Sequence, residues 1–155
     1  MSSVSKFNDI FDYFVDYVQA KLPNHLLMSD PYNLIKNTDS EYRQGFGFRF
    51  RAGNNTENLI SCQALLAQNV ELIICRISQS HETEGEKKYN VQKQLMDDSA
   101  LVWLDALSNP SLGSSLIVSC EYLGNNGIDF IKADRDDLVF MTSSYNFKYR
   151  EALNA

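Results

Sequence analysis

The stretch EYRQGFGFRFRAGNNTENLISCQALLAQNVELIICR, residues 41–76, carries two different strand patterns. In its first part Phe46, Phe48 and Phe50 alternate with Gly47, Arg49 and Arg51. Successive side chains of a strand point to opposite faces, so this predicts a half-buried strand over 44–51 with one aromatic and one polar side. Gly53-Asn54-Asn55 reads as its end. In the second part Val70, Leu72 and Ile74 share one face while Ile73, Cys75 and Ile77 share the other. Apolar residues on both faces are the behaviour of a central strand, and there is room for a long one between 60 and 79.

Working outward, residues 5–22 place Phe7, Phe11, Phe14, Val18 and Leu22 at helical steps of three and four, with Asp9, Asp12 and Asp16 on another face. That is an amphipathic helix, capped by Ser5, favoured at its positive end by Asp9 and stopped by Pro23. Asp30-Pro31-Tyr32 signals a turn. After the long strand, residues 78–88 (SQSHETEGEKK) are polar and lead to a second helix over 89–107, with Val91, Leu95, Val102 and Ala106 on its apolar side and Asn109-Pro110 as its stop. Residues 116–123 and 128–132 flank Gly124-Asn125-Asn126-Gly127, and Asn-Gly between apolar runs predicts a hairpin, because both residues tolerate positive φ. A polar turn at 134–137 precedes a last strand in which Val139, Met141, Tyr145, Phe147 and Tyr149 share a face. The order is helix, two or three strands, helix, three strands. It predicts an α+β fold, a mainly antiparallel sheet with two helices packed on one face, in a single domain over 1–155.

Composition agrees with one packed domain. The chain has 155 residues, 44% hydrophobic and 12% aromatic, with only 7 Gly and 3 Pro, which is enough apolar material for a core and too little flexible material for disorder. Its 20 acidic against 14 basic residues give a formal charge of -6, which disfavours tight wrapping of nucleic acid and binding to anionic membranes. No apolar run approaches the roughly 18 residues of a membrane span, so a soluble protein is expected. Asn8, Asp9, Asp12 and Asp16 interrupt the early hydrophobics, so no secretory signal is expected and folding is assigned to the cytosol. Cys62, Cys75 and Cys120 are odd in number and form no CxxC pair, which suits reduced thiols. Without a secretory route, Asn54-Asn55-Thr56 reads as a polar turn and not as a glycosylation site.

Catalytic chemistry finds little support. His25 and His81 lie at metal-ligand spacing from no cysteine or other histidine, and both read as solvated imidazoles in polar segments. No GxSxG is present. Gly45-Phe46-Gly47 is followed by Phe50 where a dinucleotide loop needs its third glycine, so it reads as strand, where a glycine lets another group pack close. Asp134, Asp136 and Asp137 lack the glycine and terminal glutamate of a calcium loop. Asp129 and Lys132 fall on opposite strand faces, which is poor for a metal nuclease. No enzyme, metal or cofactor is expected. Glu82, Glu84 and Glu86 with Gly85 form an acidic loop whose plain reading is a solvated connection and whose functional reading is an assembly contact.

As a whole, residues 41–76 resemble the central block of the tail-terminator, or tail-completion, proteins of tailed bacteriophages. The shared features are Gly45-Phe46-Gly47 in a strand, Gly53-Asn54-Asn55-Thr56 and the apolar strand over 70–77. The later order is similar too: a Leu- and Asp-rich helix over 91–107, a Gly-rich segment ending in Gly127-Ile128-Asp129-Phe130, and an aromatic terminal strand over 144–149. The resemblance implies a structural virion protein, assembled in the host cytoplasm. It would form a homo-oligomeric ring, commonly a hexamer, on the head-proximal end of the tail tube. There it would halt tube growth and dock the head connector, with DNA passing through without specific binding. On that expectation the acids of a negative lumen are Glu82, Glu84 and Glu86, with Asp136 and Asp137 as alternatives, because like charge keeps phosphates off the wall. Other readings are another head-tail joining or tube component, or a non-viral adaptor or small enzyme.

Overall fold

The computed structural model describes residues 4–32, 34, 43–59, 63–78, 84–132 and 137–152. Its elements are α1 (Lys6–Lys21), β1 (Leu26–Leu27), β2 (Gln44–Leu59), β3 (Gln63–Ile77), α2 (Glu84–Ser108), β4 (Ser119–Lys132) and β5 (Asp137–Ala152). The five strands make one sheet in the order β1-β2-β3-β5-β4. Every pairing is antiparallel except that of β1 with β2. Both helices lie on one face, as the sequence predicts: Phe14 of α1 packs on Tyr145 and Phe147, and Ser99 of α2 meets Ser143, all from the same side of β5. The fold is α+β.

α1 begins where Ser5 accepts a hydrogen bond from the Phe7 N–H and ends at Leu22, just before Pro23. It buries Phe7, Ile10, Phe14 and Val18. Phe11, counted on the apolar side from spacing, sits at the rim, with its ring edge-on to Phe48 and Phe50 at centroid distances of 5.3 and 4.7 Å. The helix-facing core then runs through Phe46, Phe48, Val70, Leu72, Ile74, Leu95, Val102, Val139, Met141, Tyr145 and Phe147. Strand alternation assigns the strand residues among these to one side, and Leu95 and Val102 come from the apolar stripe of α2.

Four boundaries differ from the sequence reading. β2 does not end at Gly53; it continues to Leu59 through register shifts between Phe50 and Gly53 and between Asn55 and Glu57. Gly124-Asn125-Asn126-Gly127 is not a hairpin turn. It lies inside β4 at two register shifts against β5, with φ of 117° at Gly124 and 86° at Gly127. Bulges and tight turns both need positive φ, so the same residues serve either, and two strands follow α2 instead of three. α2 starts at Glu84, not at 89, so the polar run's last residues are helical. β1 is a two-residue strand that the sequence reading treats as part of a connection.

Candidate assembly surfaces

Three of the predicted acidic residues come to one end of the sheet. Glu84 and Glu86 stand in the first turn of α2, and Asp137 opens β5. Ser78, just beyond β3, accepts the Asp137 N–H on its Oγ at 3.1 Å and donates its own N–H to the Asp137 carbonyl at 3.0 Å. α2 runs back along the sheet from that end, since Ser99 lies 3.1 Å from Ser143 and, one turn later, Trp103 stacks on Tyr122, the cross-strand partner of Tyr145. Glu82 and Asp136 fall outside the described residues.

The sheet face away from the helices divides into two halves. Toward the end that holds Asp137, Met28 and Leu34 close over Ile73, Cys75 and Leu138 in a second, smaller apolar cluster. Gly47 makes this possible, because a Cβ there would stand 2.9 Å from the Pro31 Cβ and 3.1 Å from the Met28 sulfur. Burial pushes the Cys75 thiol up to about 12, as it does that of Cys120 on the other face, so both are kept as unreactive thiols. Toward the other end the face is polar. Arg49 is the cross-strand partner of Glu71, and Arg51 donates to both Glu71 oxygens at 2.5 and 3.0 Å. That pairing holds the Arg51 guanidinium above its usual range. The Asn146 Nδ2 donates to the Asn69 Oδ1 at 2.6 Å between the two central strands. Lys148 and Arg150 belong to the same side by alternation.

Sequence reasoning misses a charged group inside the molecule. His25, expected as a solvated imidazole, is buried, with Nε2 at 3.2 Å from the Asp98 carboxylate. Arg76 donates to the two oxygens of Asp98 at 2.6 and 3.0 Å. Burial alone would raise the Asp98 carboxyl, but the hydrogen bonds from His25 and Arg76, and the Arg76 charge, hold it below the ordinary carboxylate range. One signal was available: Asp98 lies at helical spacing between Leu95 and Val102, and a carboxylate on a buried stripe needs a partner. A second group joins the helices, where the Tyr17 hydroxyl donates to Asp105 and Lys21 Nζ reaches the same carboxylate at 2.8 Å.

Among the described residues, no cluster of three or more His, Cys, Asp or Glu could hold a metal, and no helix is long and apolar enough to cross a membrane. No family model and no curated protein matches the chain. What remains conspicuous is surface. α2 turns Met96, Leu104 and Leu107 outward, and β4, the last strand of the sheet, exposes Leu123 and Phe130.

Proposed function

We propose that the chain is a structural virion protein of the tail-terminator kind, forming a ring at the head-proximal end of a phage tail tube. The observation that carries this reading is the one-sided layering. Both helices cover one sheet face, while half of the other is paved with Arg49-Glu71, Arg51-Glu71 and Asn69-Asn146 pairs, with Pro31 and Tyr32 reaching Arg49 at its border. Such a subunit is suited to build a wall, helices outside and a hydrated sheet within. Glu84, Glu86 and Asp137, at one end of the sheet, would stand at the mouth of the channel. Like charge would keep DNA from adhering there alone, since the polar half of the sheet carries Arg49, Arg51, Lys148 and Arg150 against Glu71 and Glu121. The tube protein and the head connector are the partners this reading requires.

The test is assembly without the chain. Tubes of unregulated length that fail to join heads, corrected by adding the purified protein, are the expected result. Tubes of normal length, joined to heads without it, would overturn the proposal.

A further inference from the structure

Gly124-Asn125-Asn126-Gly127 bends β4, and its two asparagines are held very differently. Asn125 still pairs with Ser143 of β5. Its Nδ2 donates to the Tyr122 hydroxyl at 3.3 Å, and its Oδ1 accepts the Gly127 N–H at 2.9 Å. The register resumes at Ile128, opposite Met141, so Asn126 and Gly127 stand in no cross-strand pair. Asn126 is exposed, and its side chain makes no hydrogen bond among the described residues.

Asparagine is a thermolabile residue because the backbone nitrogen that follows it can attack its side-chain amide. Two features normally slow that ring closure: a side chain on the following residue, which crowds the attack, and a backbone N–H locked into a helix or a sheet ladder. Neither operates at Asn126. Of the asparagines in the chain it alone precedes a glycine. The Gly127 N–H is bonded to an exposed side chain instead of to β5, so it is freed without disturbing the ladder. The bulge itself requires that glycine. Gly127 has a φ of 86°, where an L side chain is strained, so the residue that lets β4 bend also leaves Asn126 unhindered.

We propose that Asn126 is a site of spontaneous deamidation in the folded protein. The Gly127 nitrogen gives its proton to hydroxide and bonds to the Asn126 Cγ. The Cγ–Nδ2 bond breaks, and the departing nitrogen takes a proton from water and leaves as ammonia, closing a succinimide ring. One water then opens that ring. Cleavage between the Gly127 nitrogen and Cγ leaves aspartate, and cleavage between the same nitrogen and the Asn126 backbone carbonyl carbon leaves isoaspartate. One water enters, one ammonia departs and nothing is oxidised or reduced. Either product puts a new carboxylate in the bulge. Isoaspartate also adds a methylene to the main chain, which loosens the pairing of 128–132 with 137–141 because strand register depends on backbone length.

Holding the full chain in mildly alkaline buffer made with heavy-oxygen water tests this, with peptide mapping by mass spectrometry as the readout. Label should enter at Asn126 at least tenfold faster than at any other asparagine, with isoaspartate in excess over aspartate. The native chain should convert nearly as fast as the same chain unfolded in urea. An acidic species should accumulate in isoelectric focusing at the same rate, and N126Q, checked for folding by circular dichroism, should not form it. Asn126 that stays intact in the native chain while the unfolded chain converts would overturn the proposal. Faster conversion at another asparagine, or the acidic species forming at the parental rate in N126Q, would overturn it equally.

Discussion

Asp98 is the residue on which most of the interior polar structure depends. It takes Arg76 from β3 and His25 from the segment after α1, so three parts of the chain meet at one carboxylate. Replacing Asp98 with Asn leaves the Arg76 charge half-buried without a counterion, and a loss of about 3 kcal/mol is expected in chemical denaturation at neutral pH. The pH dependence has a definite sign. The folded carboxyl titrates below its unfolded value, so its stabilisation is present above about pH 4 and is lost as pH falls through the lower, folded value. The stability gap between parent and D98N should therefore narrow on acidification from about pH 6 to about pH 2.5; a constant gap would show that the carboxylate is not held low. Tyr145 predicts the opposite kind of result. Its hydroxyl is buried with no hydrogen-bond partner among the described residues, so Y145F should be neutral or stabilising by up to about 1 kcal/mol. A clear loss of stability would reveal a partner for that hydroxyl.

At the scale of elements, two glycines with different duties are separable by experiment. Gly124 has a φ of 117° and nothing within 4 Å of where a Cβ would be, so G124A should cost about 1–3 kcal/mol through backbone strain alone, with cooperative unfolding retained. Gly47 serves close packing, and G47A should push the segment bearing Met28 and Pro31 off the sheet. Hydrogen exchange at the Met28 N–H, bonded to Phe46, should then quicken more than exchange along β3. Equal acceleration everywhere would mean that the segment is not a separate flap over the second cluster. The helix and strand faces themselves were legible beforehand. Phe7, Phe14 and Val18, or Val139, Met141 and Phe147, repeat at the period of their own element, and that period is a local property of the backbone. Ile10 is buried where spacing counted Phe11, because adjacent helical positions differ by about 100° and only the packing partner settles which lies at the centre of the stripe.

For the whole molecule, the acidic end of the sheet carries the functional prediction. With Glu84 and Glu86 in the first turn of α2, a triple change of Glu82, Glu84 and Glu86 to Lys also opposes the helix dipole, at a cost of about 0.3–1 kcal/mol for each position in that turn. On the proposed ring reading, the variant should fold and still form rings. DNA ejection from particles carrying it should be slowed at low salt and recover as salt screens the attraction. Ejection at the parental rate in low salt would remove this end of the sheet from the channel. The acids were legible as a charged run, but their shared placement with Asp137 was not. It follows from Ser78 pairing with Asp137, a contact between residues 59 apart in the chain.

The amino-acid order alone determined the two helices, the stop at Pro23, the two-faced character of β3 and the aromatic face of β5, since each is written in residues within one or two turns or strand repeats of each other. Only the tertiary structure decided that Gly124-Asn125-Asn126-Gly127 bends one strand instead of joining two. Positive φ suits a bulge and a turn alike, and the choice depends on β5 lying opposite β4 on both sides of that segment. It likewise decided that His25 is buried against Asp98 and Arg76, and that Glu84 and Glu86 lie at the same end of the sheet as Asp137. These depend on strand order and register, which no local period encodes.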